Sequence, residues 1–141
     1  MIPTRWKYCS LGDVLTLQRG FDLPERNRRV GNVPIVSSSG ISGYHDIAKV
    51  CGPGVVTGRY GTLGEVFYID KDFWPLNTTL YVRDFKGNDP LFLSYFLRTL
   101  NLAHQNVAGA VPGLNRNALH LLSISIPPLP TQRKIASILS A

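Results

Sequence analysis

The closing stretch of the chain constrains its architecture more than any other. It reads Pro127-Pro128-Leu129-Pro130-Thr131-Gln132-Arg133-Lys134-Ile135-Ala136-Ser137-Ile138-Leu139-Ser140-Ala141. Each proline fixes φ and lacks an N–H, so the cluster opposes a helix interior and favours an extended connector. Thr131 is then placed to cap a new helix. Ile135, Ile138 and Leu139 recur at i, i+3 and i+4, which gives that helix an apolar stripe. No Gly or Asn stop signal follows. The expected organisation is a globular domain over 1–126, then a proline connector and the beginning of a longer helix over 127–141. Through that helix the domain is expected to join a larger protein.

The 141 residues suit one domain with a single core. A net charge of +6 favours a polyanionic partner, although a basic protein can simply be soluble. Cys9 and Cys51 are too few and too far apart for a disulfide framework or a zinc knuckle, so a reduced, cytoplasmic setting is expected. No charged segment followed by an apolar one marks a signal peptide, and no apolar run approaches a membrane span, so no membrane partner is expected.

Along the chain, Ser10-Leu11-Gly12-Asp13 predicts a capping box that starts a short helix with Leu11, Val14 and Leu15 on one face, ended by Gly20. Residues 19–32 read as a polar loop carrying Arg19, Arg26, Arg28 and Arg29. Val33–Val36 reads as a short buried strand, and the Ser/Gly-rich Ser37–Tyr44 as a loop. Strand-like runs at Val55–Gly58 and Glu65–Ile69 flank Arg59-Tyr60-Gly61-Thr62-Leu63-Gly64, which predicts a hairpin. Thr79–Arg83 is a further strand. Asp89-Pro90 opens the best helix, faced by Leu93, Phe96, Leu97 and Leu100. Asn115 caps a short helix bearing Leu119 and Leu122, and Ile124–Ile126 is the last strand. Trp6, Trp74, Phe92 and Phe96 are expected in the core. The expected fold class is α+β: a single domain with a twisted, mostly antiparallel, irregular sheet and short helices, ending at the start of a long spacer helix.

Several segments could carry chemistry. Arg26, Arg28 and Arg29, near Asn27 and Asn32, can bond base edges or phosphates, or can form a merely solvated loop. The loop at Gly58–Gly64 lacks the Gly-Lys-Ser/Thr of a nucleotide-binding loop, so it reads as a turn with positive-φ glycines that displays Arg59 and Tyr60. Ser38, Ser39 and Tyr44 lie in a stretch whose hydroxyls and backbone N–H groups can grip phosphate. Asn115 and Arg116 open a helix, where capping and phosphate contact are both compatible with the sequence. His45, His104 and His120 are scattered without a metal-binding spacing. No methyltransferase Asp/Asn-Pro-Pro-Tyr/Phe tetrapeptide or Asp…Glu-x-Lys nuclease pattern is present.

The segment Pro127–Leu139 closely resembles the PPLxEQxxIAxIL stretch that closes each target recognition domain of type I restriction–modification specificity subunits, with Thr131 where the family usually has Glu. The other landmarks follow in the family's order: Trp6 before Leu11-Gly12-Asp13-Val14, then Gly40-Ile41-Ser42-Gly43-Tyr44, Gly58–Gly64, Trp74…Asn77-Thr78-Thr79-Leu80, and Gly113-Leu114-Asn115-Arg116. Each is weak alone; together they span essentially the whole chain. The resemblance implies a non-catalytic module, without cofactor or metal, that reads one half of a bipartite double-stranded DNA site. It implies a second target recognition domain, in cis or by dimerisation, held at a fixed spacing by paired helices. It also implies docking to a methyltransferase (M) subunit and a restriction (R) subunit, which supply methylation, translocation and cleavage. Arg26, Arg28, Arg29, Ser38, Ser39, Tyr44, Arg59, Tyr60, Asn115 and Arg116 are the expected DNA-binding residues.

Two alternatives remain from the residues themselves. One is a small hydrolase or nuclease using His45, Asp46 and a serine such as Ser38, although Gly-x-Ser-x-Gly is absent. The other is a protein-interaction module whose basic face binds an acidic protein.

Overall fold

In the computed structural model, residues 5–105 and 114–141 are described, and Gly113 of the fifth landmark lies outside them. The chain opens with β1 (Lys7–Ser10), one 3-10 turn at Leu11–Asp13, and β2 (Thr16–Arg19). The Ser10 N–H and hydroxyl both donate to the Asp13 carboxylate, at 3.0 and 2.9 Å. That capping arrangement was expected, but the helix it should start stops after a single turn. Thr16–Arg19 instead pairs antiparallel with a later strand. Gly20 therefore does not end a helix. A Cβ there would sit 2.1 Å from the Leu76 carbonyl oxygen, so glycine is required by the close passage of two backbones.

β3 (Val33–Ser37) and β4 (Gly40–His45) form an antiparallel hairpin. The sequence reading of Ser37–Tyr44 as a loop is thus corrected. Only Ser37–Gly40 is a turn, made possible by Gly40 at φ 114°. Small residues hide the strand pattern of β4, and its pairing with the buried β3 forces it into extended form. β5 (Gly54–Gly58) and β6 (Val66–Ile69) make the expected hairpin, followed by the short β7 (Trp74–Pro75) and β8 (Thr79–Asp84). α1 (Pro90–Arg98) starts at Asp89, whose carboxylate accepts from the Phe92 N–H. α2 (Arg116–His120) starts at Asn115, whose side-chain oxygen accepts from the Asn117 and Ala118 N–H groups. β9 (Ser123–Ile126) pairs with β1, and α3 (Leu129–Leu139) closes the chain.

The fold is α+β and mostly antiparallel. Rather than one irregular sheet, the described strands form three: β1-β9, β2-β8-β5-β6 and β4-β3-β7, in which β3 and β7 pair parallel, and Phe21 and Leu76 add an isolated parallel bridge. The main core joins Leu11, Leu15 and Leu17 to Val55 and Leu80 of the central sheet, Leu93 and Leu97 of α1, and Leu119 of α2. Val36, Val56, Phe73 and Tyr81 form a second cluster between the two larger sheets. Trp74 and Phe92 are buried as expected, whereas Phe96 is half-buried and Trp6 is 46% exposed.

α3 begins three residues earlier than the sequence suggests. Pro128 is its N-cap, and Pro130 sits in the first turn, where a missing N–H costs nothing. Thr131 is therefore inside the helix and does not cap it. The domain grips α3 through Gln132, Ala136 and the half-buried Ile135 of the expected stripe, whereas Ile138 and Leu139 are 66% and 56% exposed.

Candidate nucleic-acid interface

β2 is an end strand of the central sheet, and α2 lies along its outer edge. The Leu17 N–H donates to His120 Nε2 at 2.9 Å, and Arg116 Nη1 donates to the Leu17 carbonyl at 3.0 Å. The N–H and the carbonyl of one β2 residue, both facing the open edge of the strand, are thus held by a single turn of helix. The contact is close because residue 12 is glycine: a Cβ there would lie 3.0 Å from His120 Cβ. Burial, then the charges of Arg116 and Lys86, lower the His120 pKa, which keeps its Nε2 available as an acceptor. The arrangement fixes Arg116 near the C-terminal end of β2, where Arg19 stands.

The second contributor is the loop from β5 to β6. Gly61 and Gly64 adopt φ of 73° and 94°, as expected for a glycine-permitted turn. Gly58 has no room for a side chain, since a Cβ would sit 2.0 Å from the Thr62 carbonyl oxygen. Arg59 is more fixed than the sequence implied. Its Nε and Nη2 both donate to the Asn77 carbonyl, at 3.1 and 2.7 Å, and its Cζ lies 4.2 Å from the centroid of the Tyr60 ring. Two of its five N–H donors are therefore committed, and the rest remain on a guanidinium whose position is set by backbone. Tyr60 is 41% exposed.

Two neighbouring hollows organise the face. One, of about 230 Å³, is bordered by Arg19, Arg59, Asn115, Arg116 and Asn117. The other, of about 280 Å³, is bordered by Asp22, Pro24, Arg28, Leu76 and Asn77. Two contacts tie them together: Arg19 pairs with Asp22 at 3.4 Å, and Arg59 bonds the Asn77 carbonyl. The structure thereby brings four of the predicted residues together, Arg28, Arg59, Asn115 and Arg116. Tyr60 and Ser38 sit beside them, with Ser38 packed against Gly58 and Gly61.

The remaining predicted residues are placed differently. Whereas Arg28, already placed at the second hollow, donates through Nε to the Leu23 carbonyl at 3.1 Å, Arg29 turns to Asp46 at 3.1 Å, where the pair is exposed. Arg26 is exposed on a 3-10 turn, Ser39 is exposed beyond Ser37, and Tyr44 is 53% exposed on β4. None of these four borders the two hollows among the described residues. Sequence reasoning placed Arg19 in a loop and gave Asn77 no role in binding. The signal for Arg19 was its position at the end of a run that the structure makes a strand.

A hydrolytic triad is not assembled. His45 is buried, and its Nδ1 accepts the Arg29 N–H at 3.1 Å, so that nitrogen has no proton to donate to Asp46. Among the described residues no group of three His, Cys, Asp or Glu side chains could hold a metal ion. Among the described residues no helix is long and apolar enough to cross a membrane. A larger, open groove of about 770 Å³ lies away from the arginine face, between β1 and the start of α3.

The sequence profile of the family described as type I restriction modification DNA specificity domain matches residues 3–141. No similar sequence was found among curated proteins. Among solved structures, the chain is similar to a type I restriction–modification system S subunit from M. genitalium, with a TM-score of 0.82 and 19% identity over 97% of this chain and 38% of that one. It is similar to the HsdS subunit from Thermoanaerobacter tengcongensis, with a TM-score of 0.73 and 16% identity over 99% of this chain and 38% of that one. A chain from a study of complex assembly and conformational transition in a type I R-M system gives a TM-score of 0.77 and 16% identity, over 99% and 38% respectively. At these identities the likeness is one of fold, and the chain spans well under half the length of each of these three solved chains.

Proposed function

Given that the chain belongs to the family of type I restriction modification DNA specificity domains, we propose that it reads one half of a bipartite double-stranded DNA site by direct contact. The observation that carries this reading is the convergence of arginines from three distant segments. Arg19 at the end of β2, Arg59 after β5 and Arg116 of α2 border one hollow, and Arg28 borders its neighbour. On a domain with a net charge of +6, such a face attracts the phosphate backbone and offers fork-shaped donors to guanine edges.

On this reading residues 1–126 are the recognition domain, and 127–141 are the connector and the beginning of a spacer helix. The second half of the site is read by another target recognition domain, in cis or on a second copy. The methyltransferase and restriction subunits supply the chemistry, and the setting is the cytoplasm. The domain itself contributes recognition and no catalysis.

The test is a binding series over single-base variants of a selected duplex with Arg28→Ala, Arg29→Ala and Arg59→Ala. An arginine on a guanine edge loses about 1–3 kcal/mol when replaced and relaxes preference at one base pair. One on phosphate weakens every sequence alike. If all three variants bind every duplex as the parent does, the surface is elsewhere, with residues 37–45 and 113–117 next to be tried.

A further inference from the structure

We propose that the hollow between Arg19, Arg59 and Arg116 is a phosphate clamp: it grips one backbone phosphodiester of the duplex and sets register without reading a base. This rests on the DNA-reading proposal above and divides its labour.

Three features favour a phosphate over a base. First, the charged side chains bordering the hollow are all cationic. The Asp22 carboxylate borders the adjacent hollow and reaches Arg19 only across 3.4 Å, with both side chains more than half exposed. Three like charges around one small concavity repel one another, and an oxyanion relieves that repulsion. Second, two of the three guanidiniums are held by backbone carbonyls, Arg59 by Asn77 and Arg116 by Leu17. Neither carbonyl neutralises its partner, so each arginine is oriented while its charge and remaining donors stay available. Third, no aromatic ring borders the hollow among the described residues, and the Tyr60 face is covered by Arg59. A base turned into the hollow would find no stacking partner. Leu80 and Leu114, which also border it, are buried and present little apolar surface.

The three arginines come from segments that the sequence separates widely: α2 meets β2 through its hold on Leu17, and the Leu114 N–H, just before α2, donates to the Arg59 carbonyl at 2.9 Å. The clamp is therefore part of the folded scaffold. That suits a contact that positions the domain, whereas base reading suits the side that carries Arg28 together with the exposed Arg26 and Tyr44.

The experiment uses the 141-residue chain and a duplex selected by it from a random pool. Arg19→Ala is the primary variant, because Arg19 is exposed and its side chain makes, among the described residues, only the weak Asp22 pair. Arg116→Lys is the second, with folding checked by thermal unfolding. Both are measured on the selected duplex and on a scrambled one, over a range of salt. The selected duplex is then scanned with single methylphosphonates, each of which removes the charge of one phosphate. The expected result is an equal fold-loss on both duplexes, a salt slope reduced by about one, and one backbone position where the methylphosphonate erases the difference between parent and Arg19→Ala. A loss confined to one base pair overturns the clamp while leaving DNA reading intact. Unchanged binding by Arg19→Ala, or no position that couples to it, does the same. If instead the parent shows no preference between duplexes, the reading of sequence fails, and the equal loss and the reduced salt slope still decide the clamp.

Discussion

At the scale of single residues, burial separates side chains that the sequence could not. Phe92 and Phe96 lie on adjacent turns of α1, stacked with ring centroids 5.8 Å apart, and either could have been the anchor. Periodicity pointed to Phe96, yet Phe92 is the one that is 3% exposed. Phe92→Ala should therefore cost about 3–5 kcal/mol, and Phe96→Ala clearly less. Chemical denaturation of the two variants checks this, and equal losses would contradict it. The same contrast holds for arginines. Residue type marks Arg26, Arg28, Arg29 and Arg59 alike as cations, but only folding reveals that Arg29 faces Asp46 while Arg59 is fastened to the Asn77 carbonyl.

At the scale of elements, two side-chain contacts hold the architecture together. The first is His120, whose Nε2 accepts the Leu17 N–H. Burial, with Arg116 and Lys86 as lesser causes, holds its pKa below the ordinary value, so the unfolded chain takes up that proton more readily than the folded one. The stabilising contribution is complete above about pH 6.5 and is lost as pH falls through the lowered folded value. The thermal midpoint should fall between about pH 7 and pH 5.5, and His120→Gln, which retains an acceptor, should flatten that part of the profile. An identical slope in both proteins would show that another group is responsible. The second contact is Gln132, which is 1% exposed. Its oxygen accepts the Asp89 N–H at 2.9 Å, and its amide donates to the Asn88 side chain and the Pro127 carbonyl. Gln132→Ala strands these groups and should cost about 1–3 kcal/mol, loosening α3 from the start of α1. Hydrogen exchange along α3 would report it as faster opening, whereas unchanged exchange would contradict the role.

These elements also show which parts of the fold were legible. Asp89-Pro90 and Asn115 announced α1 and α2 because capping is local chemistry, readable in a few residues. Val55–Gly58 announced β5 because β-branched residues cluster there. β4 was hidden because Gly40, Ser42 and Gly43 carry no alternation, and only pairing with β3 makes it a strand. The helix expected after Ser10 failed for the reverse reason: a good local start was overruled by the pairing of Thr16–Arg19 with β8. The hollow between Arg19, Arg59 and Arg116 could not be seen, since its members meet through long-range contacts: α2 holds β2, β2 and β5 both pair with β8, and the Leu114 N–H donates to the Arg59 carbonyl.

At the scale of the whole molecule, the fold presents a basic face on small, irregular sheets, with α3 leaving by an exposed apolar stripe at Ile138 and Leu139. A domain that reads half a site has few base contacts, and alone it lacks the avidity that a linked second reader supplies. Weak binding in isolation is the expectation, dominated by phosphate neutralisation and so steeply dependent on salt. The most direct test of DNA reading is selection of duplexes from a random pool by the isolated chain at low salt, followed by measured affinities for the enriched and scrambled sequences. The account predicts a short enriched motif, tighter binding to it than to the scramble, and affinity for both that falls steeply as salt is raised. An unenriched pool with equal affinities, or binding indifferent to salt, would contradict it.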